Sequence, residues 1–183
     1  FKSFKVMGAV SSIICRPFSS RKSAIVLMSG LAWSGKTSIL CRLRFGVFPT
    51  EIMSSVSSND EEIPINPSLT VHLFDLGASA KMREQHIRHW IDVKALIYVV
   101  DCTNEDQLEE ARIELHEHLS DNNMQGLPLL VIVSKRDQPS ALSDEMLIER
   151  LQLEKIKGRE WQIQSTSAKT GEGISEVAAW LER

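Results

Sequence analysis

Ala24-Ile25-Val26-Leu27-Met28-Ser29-Gly30-Leu31-Ala32-Trp33-Ser34-Gly35-Lys36-Thr37 sets a short apolar run directly before a GxxxxGKT turn. The run predicts a strand, and the helical period from Lys36 to Phe45 predicts a helix after the turn, which is the setting this motif needs to hold phosphate. Phosphate oxygens require convergent donors at close range. Gly30 and Gly35 admit the backbone, successive N–H groups and the helix start supply partial positive charge, and Lys36 adds a full one. Thr37 then offers a hydroxyl to magnesium. The residues expected to contact a nucleotide here are Gly30, Trp33, Ser34, Gly35, Lys36, Thr37 and Ser38. The turn fixes a phosphate site and leaves the base open, since ATP-binding kinases and ATPases carry the same loop.

Outward from this turn, short β-branched runs alternate with longer stretches of helical period. The predicted strands are Ala24 to Ser29, Leu69 to Asp75, Ala95 to Asp101, Leu127 to Ser134 and Trp161 to Thr166. Near-continuous runs such as YVV and LLVIV predict strands covered on both faces, hence an α/β fold with a three-layer, doubly wound, mostly parallel sheet. The predicted helices are Lys36 to Phe45, Lys81 to Trp90, Glu105 to Leu119, Ser143 to Leu153 and Ser175 to Leu181. Asn104 is placed to cap a stretch carrying Leu108, Ala111 and Leu115, and Ser143 one carrying Met146, Leu147 and Leu151 on one face. The polar stretch Val47 to Pro67 fits neither period and reads as a mobile functional loop or an edge strand flanked by loops.

At 183 residues the chain has room for one domain, and its 43% apolar and 25% charged residues exclude disorder and fibrous architectures. The formal charge of −3 is uneven: 1–23 carries Lys2, Lys5, Arg16, Arg21 and Lys22 with no acid, which leaves −8 for 24–183. A basic arm on an acidic body suits an anionic membrane surface better than nucleic acid, whose binding needs a positive face on the folded domain. The arm also reads as a solvated, disordered segment. Cys15, Cys41 and Cys102 form no CxxC pair, which argues against a disulfide framework or structural zinc and for a reducing, cytosolic setting. No apolar run approaches the roughly 18 residues needed to cross a bilayer.

Ser134-Lys135-Arg136-Asp137 follows LLVIV, and Ser167-Ala168-Lys169 follows WQIQST, both where a doubly wound sheet places ligands. They resemble the guanine-reading NKxD and SAK motifs of Ras-like GTPases. The Asp137 carboxylate could accept from N1–H and the exocyclic amine of guanine, the Ala168 N–H could donate to O6, and the Lys135 stem would lie along the base. The wider chain resembles the Arf and Arf-like family, through GLAWSGKTSIL, FDLGASAKMREQHIRHW, ALIYVVDCTN, LPLLVIVSKRDQPSAL and WQIQSTSAKTGEGISEVAAWL. The resemblance implies a small G domain of the P-loop NTPase class over 24–183 and binding of GTP or GDP with Mg2+. It also implies exchange-factor, GTPase-activating and effector partners, and a monomer. The family's switch threonine falls on Ser54, with Thr50 and Ser55 as alternatives, so Thr37 and Ser54 become the metal-site hydroxyls; Asp75 matches the acid that holds a magnesium-bound water.

Departures from the family pattern fall on nucleotide-contacting positions. The DxGGQ motif is Asp75-Leu76-Gly77-Ala78-Ser79 here. Ser79 stands where a glutamine orients the attacking water, and its hydroxyl is too short for that role, so weak intrinsic hydrolysis is expected. Ala78 keeps the backbone N–H for the γ-phosphate but narrows the backbone freedom of the loop. Ser134 replaces the asparagine that ties the base loop to the phosphate loop, so weaker nucleotide retention is expected. Ala32 replaces an acid, and Trp33 reads as a shield for the site, a docking point, or an exposed loop residue without a role.

The family's initiating Met-Gly falls on Met7-Gly8, which fits the myristoylation pattern provided Gly8 becomes the mature N-terminus; Cys15 is then a second lipid site. Phe1, Phe4, Met7, Val10 and Ile14 in an acid-free, Arg- and Ser-rich segment equally describe a transit peptide or a packing arm. The histidines at 86, 89, 116 and 118 lack zinc-ligand spacing and are expected on solvated helix faces. The expectation is therefore a nucleotide-gated switch in the cytoplasm, peripheral to an intracellular membrane such as Golgi or endosome. A non-cycling nucleotide-bound scaffold, a protein of the signal-recognition-particle receptor β type and a kinase-like ATP enzyme are the alternatives.

Overall fold

The computed structural model describes residues 24–49, 60–66, 69–74 and 93–183. The predicted helix Lys81 to Trp90, the arm 1–23, and Thr50, Ser54, Ser55, Asp75, Ala78 and Ser79 lie outside the described residues, as do Gly8 and Cys15. Strands run β1 (Ala24–Ser29), β2 (Asp60–Asn66), β3 (Leu69–Phe74), β4 (Val93–Asp101), β5 (Leu129–Ser134) and β6 (Trp161–Ser165). The helices are α1 (Lys36–Phe45), α2 (Leu108–Ser120), α3 (Asp144–Arg150) and α4 (Ile174–Leu181). The six strands pair in the order β2-β3-β1-β4-β5-β6, with only β2 antiparallel to its neighbour.

Each buried strand uses the period of two to feed both faces. Val26, Met28, Ala95, Ile97, Val99, Leu130 and Ile132 pack with Ile39 and Leu40 of α1 and Val177 of α4. Leu27, Leu96, Tyr98, Val100, Val131 and Val133 pack on the opposite face with Leu108, Ala111 and Leu115 of α2 and Leu147 of α3. Helices therefore cover both sides, the three-layer doubly wound arrangement expected from runs such as LLVIV. Leu130 and Ile132 are fully enclosed, and burying a side chain of this size contributes about 1.5–3 kcal/mol.

The polar stretch before Pro67 contains β2, an edge strand, and an edge is where Pro64 can lack its N–H donor. Ser143 accepts from the Met146 N–H at 3.3 Å and caps α3 as its type suggests, although Met146 itself is exposed while Leu147 and Leu151 are buried. Asn104 makes no side-chain cap: a 3-10 turn, Glu105–Gln107, comes first and α2 begins at Leu108. Two histidines placed on solvated faces are partly buried instead. His116 Nε2 lies 2.9 Å from the Leu151 carbonyl, and His118 Nδ1 lies 3.4 Å from Ser29 Oγ with its ring edge-on to Tyr98. No helix among the described residues is long and apolar enough to cross a membrane.

Because β1, β4, β5 and β6 are parallel, their carboxyl ends open on one edge of the sheet. β1 is where the order reverses, with β3 on one side and β4 on the other, so the turn after β1 sits at the switch point that favours ligands in such sheets.

Candidate functional site

The GxxxxGKT turn leaves β1 through three residues with positive φ: Gly30 at 141°, Trp33 at 65° and Gly35 at 97°. Gly30 is required twice over. A Cβ there would lie 2.2 Å from the Val99 carbonyl oxygen, and the φ value is one that L residues rarely adopt. Gly35 opens α1, whose first turn leaves backbone N–H groups unpaired within the helix. Lys36 Nζ donates to the Leu31 carbonyl at 2.8 Å and to that of Gly30, so the ammonium lies across the loop it belongs to. The result is a concave turn with a full positive charge and aligned N–H dipoles.

The β4 and β5 registers set Asp101 beside Ser134, and this adjacency builds the second wall. Ser134 is buried, and its hydroxyl lies 2.5 Å from the Ser34 carbonyl and 3.1 Å from that of Val100. The link between base loop and phosphate loop, expected to be lost with asparagine, is thus made by the shorter serine, because Ser34 comes close enough to accept. Burial holds the Cys102 thiol above its ordinary pKa, and this protonated group donates to the Ser134 carbonyl at 2.9 Å.

Lys135 takes φ 62° and sends its ammonium 2.5 Å from Asp101 Oδ2. Asp101 Oδ1 accepts from the Thr103 N–H at 2.9 Å and hydroxyl at 2.7 Å. Burial pushes the Asp101 carboxyl up, but the Lys135 and Thr103 bonds outweigh it and hold the group below its ordinary value. Sequence reasoning missed Asp101; its one signal was an acid at the carboxyl end of a predicted strand.

Asp137 accepts from Ser167 Oγ at 2.7 Å, with Lys169 Nζ 4.0 Å away on the other carboxylate oxygen. Its side chain is 14% exposed, so the carboxylate is neither solvated on a free turn nor sealed in the core. Arg136 N–H donates to the Thr166 carbonyl at 3.0 Å, which with the Ser167–Asp137 bond stitches the SKRD and SAK loops together, and Thr170 N–H donates to Ser167 Oγ at 3.1 Å within the second loop. Trp33, Ser34, Gly35, Lys36, Thr37, Ser38, Ser134, Lys135, Asp137, Ala168 and Lys169 line one cleft of about 500 Å³, within the range of small-ligand sites. Phe48 and Gln138 also line it and had no motif to announce them. The Lys36 turn and the Asp137 carboxylate, 101 positions apart in the chain, face the same space.

Residues 10–183 match the ADP-ribosylation factor family. The chain belongs to that family. It is 36% identical over 176 residues to the ADP-ribosylation factor-like protein 1 of Saccharomyces cerevisiae, covering 96% of this chain and 95% of that one. It is 35% identical over 175 residues to ADP-ribosylation factor 3 of Arabidopsis thaliana, covering 92% of this chain and 93% of the relative. As a family member with this α/β sheet and phosphate turn, it is an Arf-like small GTPase by descent and fold, built as a GTP-binding switch.

Proposed function

We propose that this chain binds GTP and GDP with Mg2+ in the cleft between the Lys36 turn and Asp137, changes its partner surface with the nucleotide, and hydrolyses GTP slowly. The observation that carries the reading is the shared cleft: a cationic, N–H-lined turn at one end and a partly exposed carboxylate, held by Ser167, at the other. The donor set fits a nucleotide. Lys36 supplies positive charge at the phosphate end, Lys135 and Lys169 line the same cleft beside Asp101 and Asp137, and the Asp137 carboxylate offers the acceptors that guanine, and not adenine, can satisfy. Thr37 would supply a hard hydroxyl oxygen to a magnesium ion, which would offset phosphate charge. Ser54, with Thr50 and Ser55 as alternatives, would be the second hydroxyl, and Asp75 would be the acid behind a metal-bound water.

In this reading the chain's own residues position the nucleotide: Lys36 and the turn's N–H groups hold the phosphates, Ala78 contributes an N–H to the γ-phosphate, and Ala168 and Lys135 frame the base. Ser79 provides no arm long enough to orient water, so intrinsic hydrolysis falls below the roughly 10⁻⁴ s⁻¹ of an unaided small GTPase. The basic arm, 1–23, with Gly8 and Cys15 as lipid sites, would bring the domain to an anionic membrane. Exchange-factor, GTPase-activating and effector proteins are the partners this function requires.

A non-cycling scaffold is the second reading, favoured by Ala78 and Ser79 together. Two measurements on purified protein separate them: bound guanine nucleotide with its exchange for added GTP, and single-turnover hydrolysis in the wild type and Ser79→Gln. Exchange followed by slow hydrolysis, accelerated by Ser79→Gln, supports the switch. Nucleotide that never exchanges supports the scaffold, and a wild-type rate at or above that of ordinary small GTPases sinks the account of Ser79.

A further inference from the structure

We infer that Trp33 is a lid residue that packs on the ribose and phosphates of the bound nucleotide and sets how long it is held; this rests on the cleft being a guanine-nucleotide site. Two independent features meet at this position. Trp33 is 74% exposed, the highest value among the large apolar residues described. Its backbone takes φ 65°, a region that bulky L residues adopt only where the surrounding fold imposes it. The left-handed backbone acts against the folded state, in the middle of the phosphate turn. Among the described residues the 74% exposed indole returns little burial to offset that cost.

Trp33 lines the cleft that Lys36, Thr37, Asp137 and Lys169 also line. A ligand that filled the cleft would cover it. The flat apolar face of an indole suits a sugar, and its ring N–H is a donor suited to a phosphate oxygen, so one side chain can meet both parts of a nucleotide. Covering the ring removes apolar surface from water only in the bound state, which slows release without adding to the stability of the empty protein. Phe48, 37% exposed on the same cleft, extends the apolar rim.

The test uses the full chain and the fluorescent nucleotide N-methylanthraniloyl-GDP, chased with unlabelled GDP, in the wild type and in Trp33→Phe, Trp33→Ala and Trp33→Gly. Trp33→Ala and Trp33→Gly should release the probe about tenfold faster, the factor that 1.4 kcal/mol produces, and Trp33→Phe should stay within about threefold of the wild type. Tryptophan-to-probe energy transfer should fall in Trp33→Phe, because a donor on the cleft wall has gone. Trp33→Gly relieves the positive φ, so its urea midpoint without nucleotide should equal or exceed that of the wild type. Faster release without loss of stability is the signature that a merely structural residue cannot give. Wild-type protein that takes up no probe overturns the guanine-site reading and the lid together. Probe uptake with release rates within twofold across all four proteins, or faster release only in step with lost stability, overturns the lid alone.

Discussion

Replacing Ser134 with alanine isolates the link between the two halves of the cleft. Ser134 is 3% exposed, and its hydroxyl lies 2.5 Å from the Ser34 carbonyl and 3.1 Å from that of Val100. A hydroxyl carries one proton, so the closer Ser34 contact is the principal bond and the other a weaker share. Removing one partner of a buried hydrogen bond costs about 1–3 kcal/mol, because the carbonyl left behind has no water to turn to. The bond joins the loop that carries Asp137 to the loop that carries Lys36, so its loss loosens the walls that hold base and phosphate in register. If the whole cost falls on the bound state, release of labelled GDP quickens by about 5- to 150-fold. The assay is the fluorescent-GDP chase, read beside urea unfolding of the nucleotide-free protein. A Ser134→Ala release rate within twofold of the wild type would refute the argument that this hydroxyl couples the loops.

Three further outcomes follow from the same geometry. Gly30→Ala should lower stability by more than about 3 kcal/mol in urea unfolding, since its Cβ would meet the Val99 carbonyl oxygen at 2.2 Å and its backbone sits at φ 141°; a midpoint equal to the wild type contradicts this. Asp101 has a depressed pKa in the fold, so its contribution is complete above the unfolded value near 3.8 and is lost as pH falls through the lower folded value. Asp101→Asn should therefore be less stable than the wild type at neutral pH, with the difference shrinking at about pH 3; a gap of equal size at both pH values contradicts it. Tyr98 is buried and its hydroxyl donates to Glu114 at 2.6 Å, burial and that carboxylate both holding the phenol protonated. Tyr98→Phe should cost about 1–3 kcal/mol of unfolding free energy without slowing nucleotide uptake; a drop in uptake with stability unchanged would place Tyr98 in the site instead.

The parts of the fold legible in the sequence were those that local pattern dictates. Runs such as YVV and LLVIV have no polar face, so they belong to strands covered on both sides, and the turn between β1 and α1 announces itself through glycines that the backbone geometry demands. β2 was legible only as one of two options, because the sequence DEEIPIN alternates too weakly to single out a strand. Asn104 and Met146 were misread for a related reason: a capping residue type and a helical period describe what a segment could do, while an intervening 3-10 turn and the neighbouring packing decide what it does. The two α2 histidines find partners on β1 and just beyond α3, which are non-local contacts invisible to spacing along one helix. In the site, the order of SKRD and SAK after their strands suggested a common cleft. The Ser134 link to Ser34 and the Lys135 pair with Asp101 depend on the register of β4 against β5, which no single motif encodes.

Guanine selection by Asp137 is the point on which the account turns, and competition between GTP and ATP for the cleft tests it most directly. Displacement of labelled GDP from the wild type should require at least about a hundredfold more ATP than GTP, since adenine has neither the N1–H nor the exocyclic amine that guanine offers to the Asp137 carboxylate. Asp137→Asn exchanges an acceptor for an amide donor, so GTP should lose its advantage and xanthosine triphosphate, with a carbonyl where guanine has its amine, should gain. Displacement by ATP as readily as by GTP, or an Asp137→Asn protein that prefers guanine as strongly as the wild type, would contradict it.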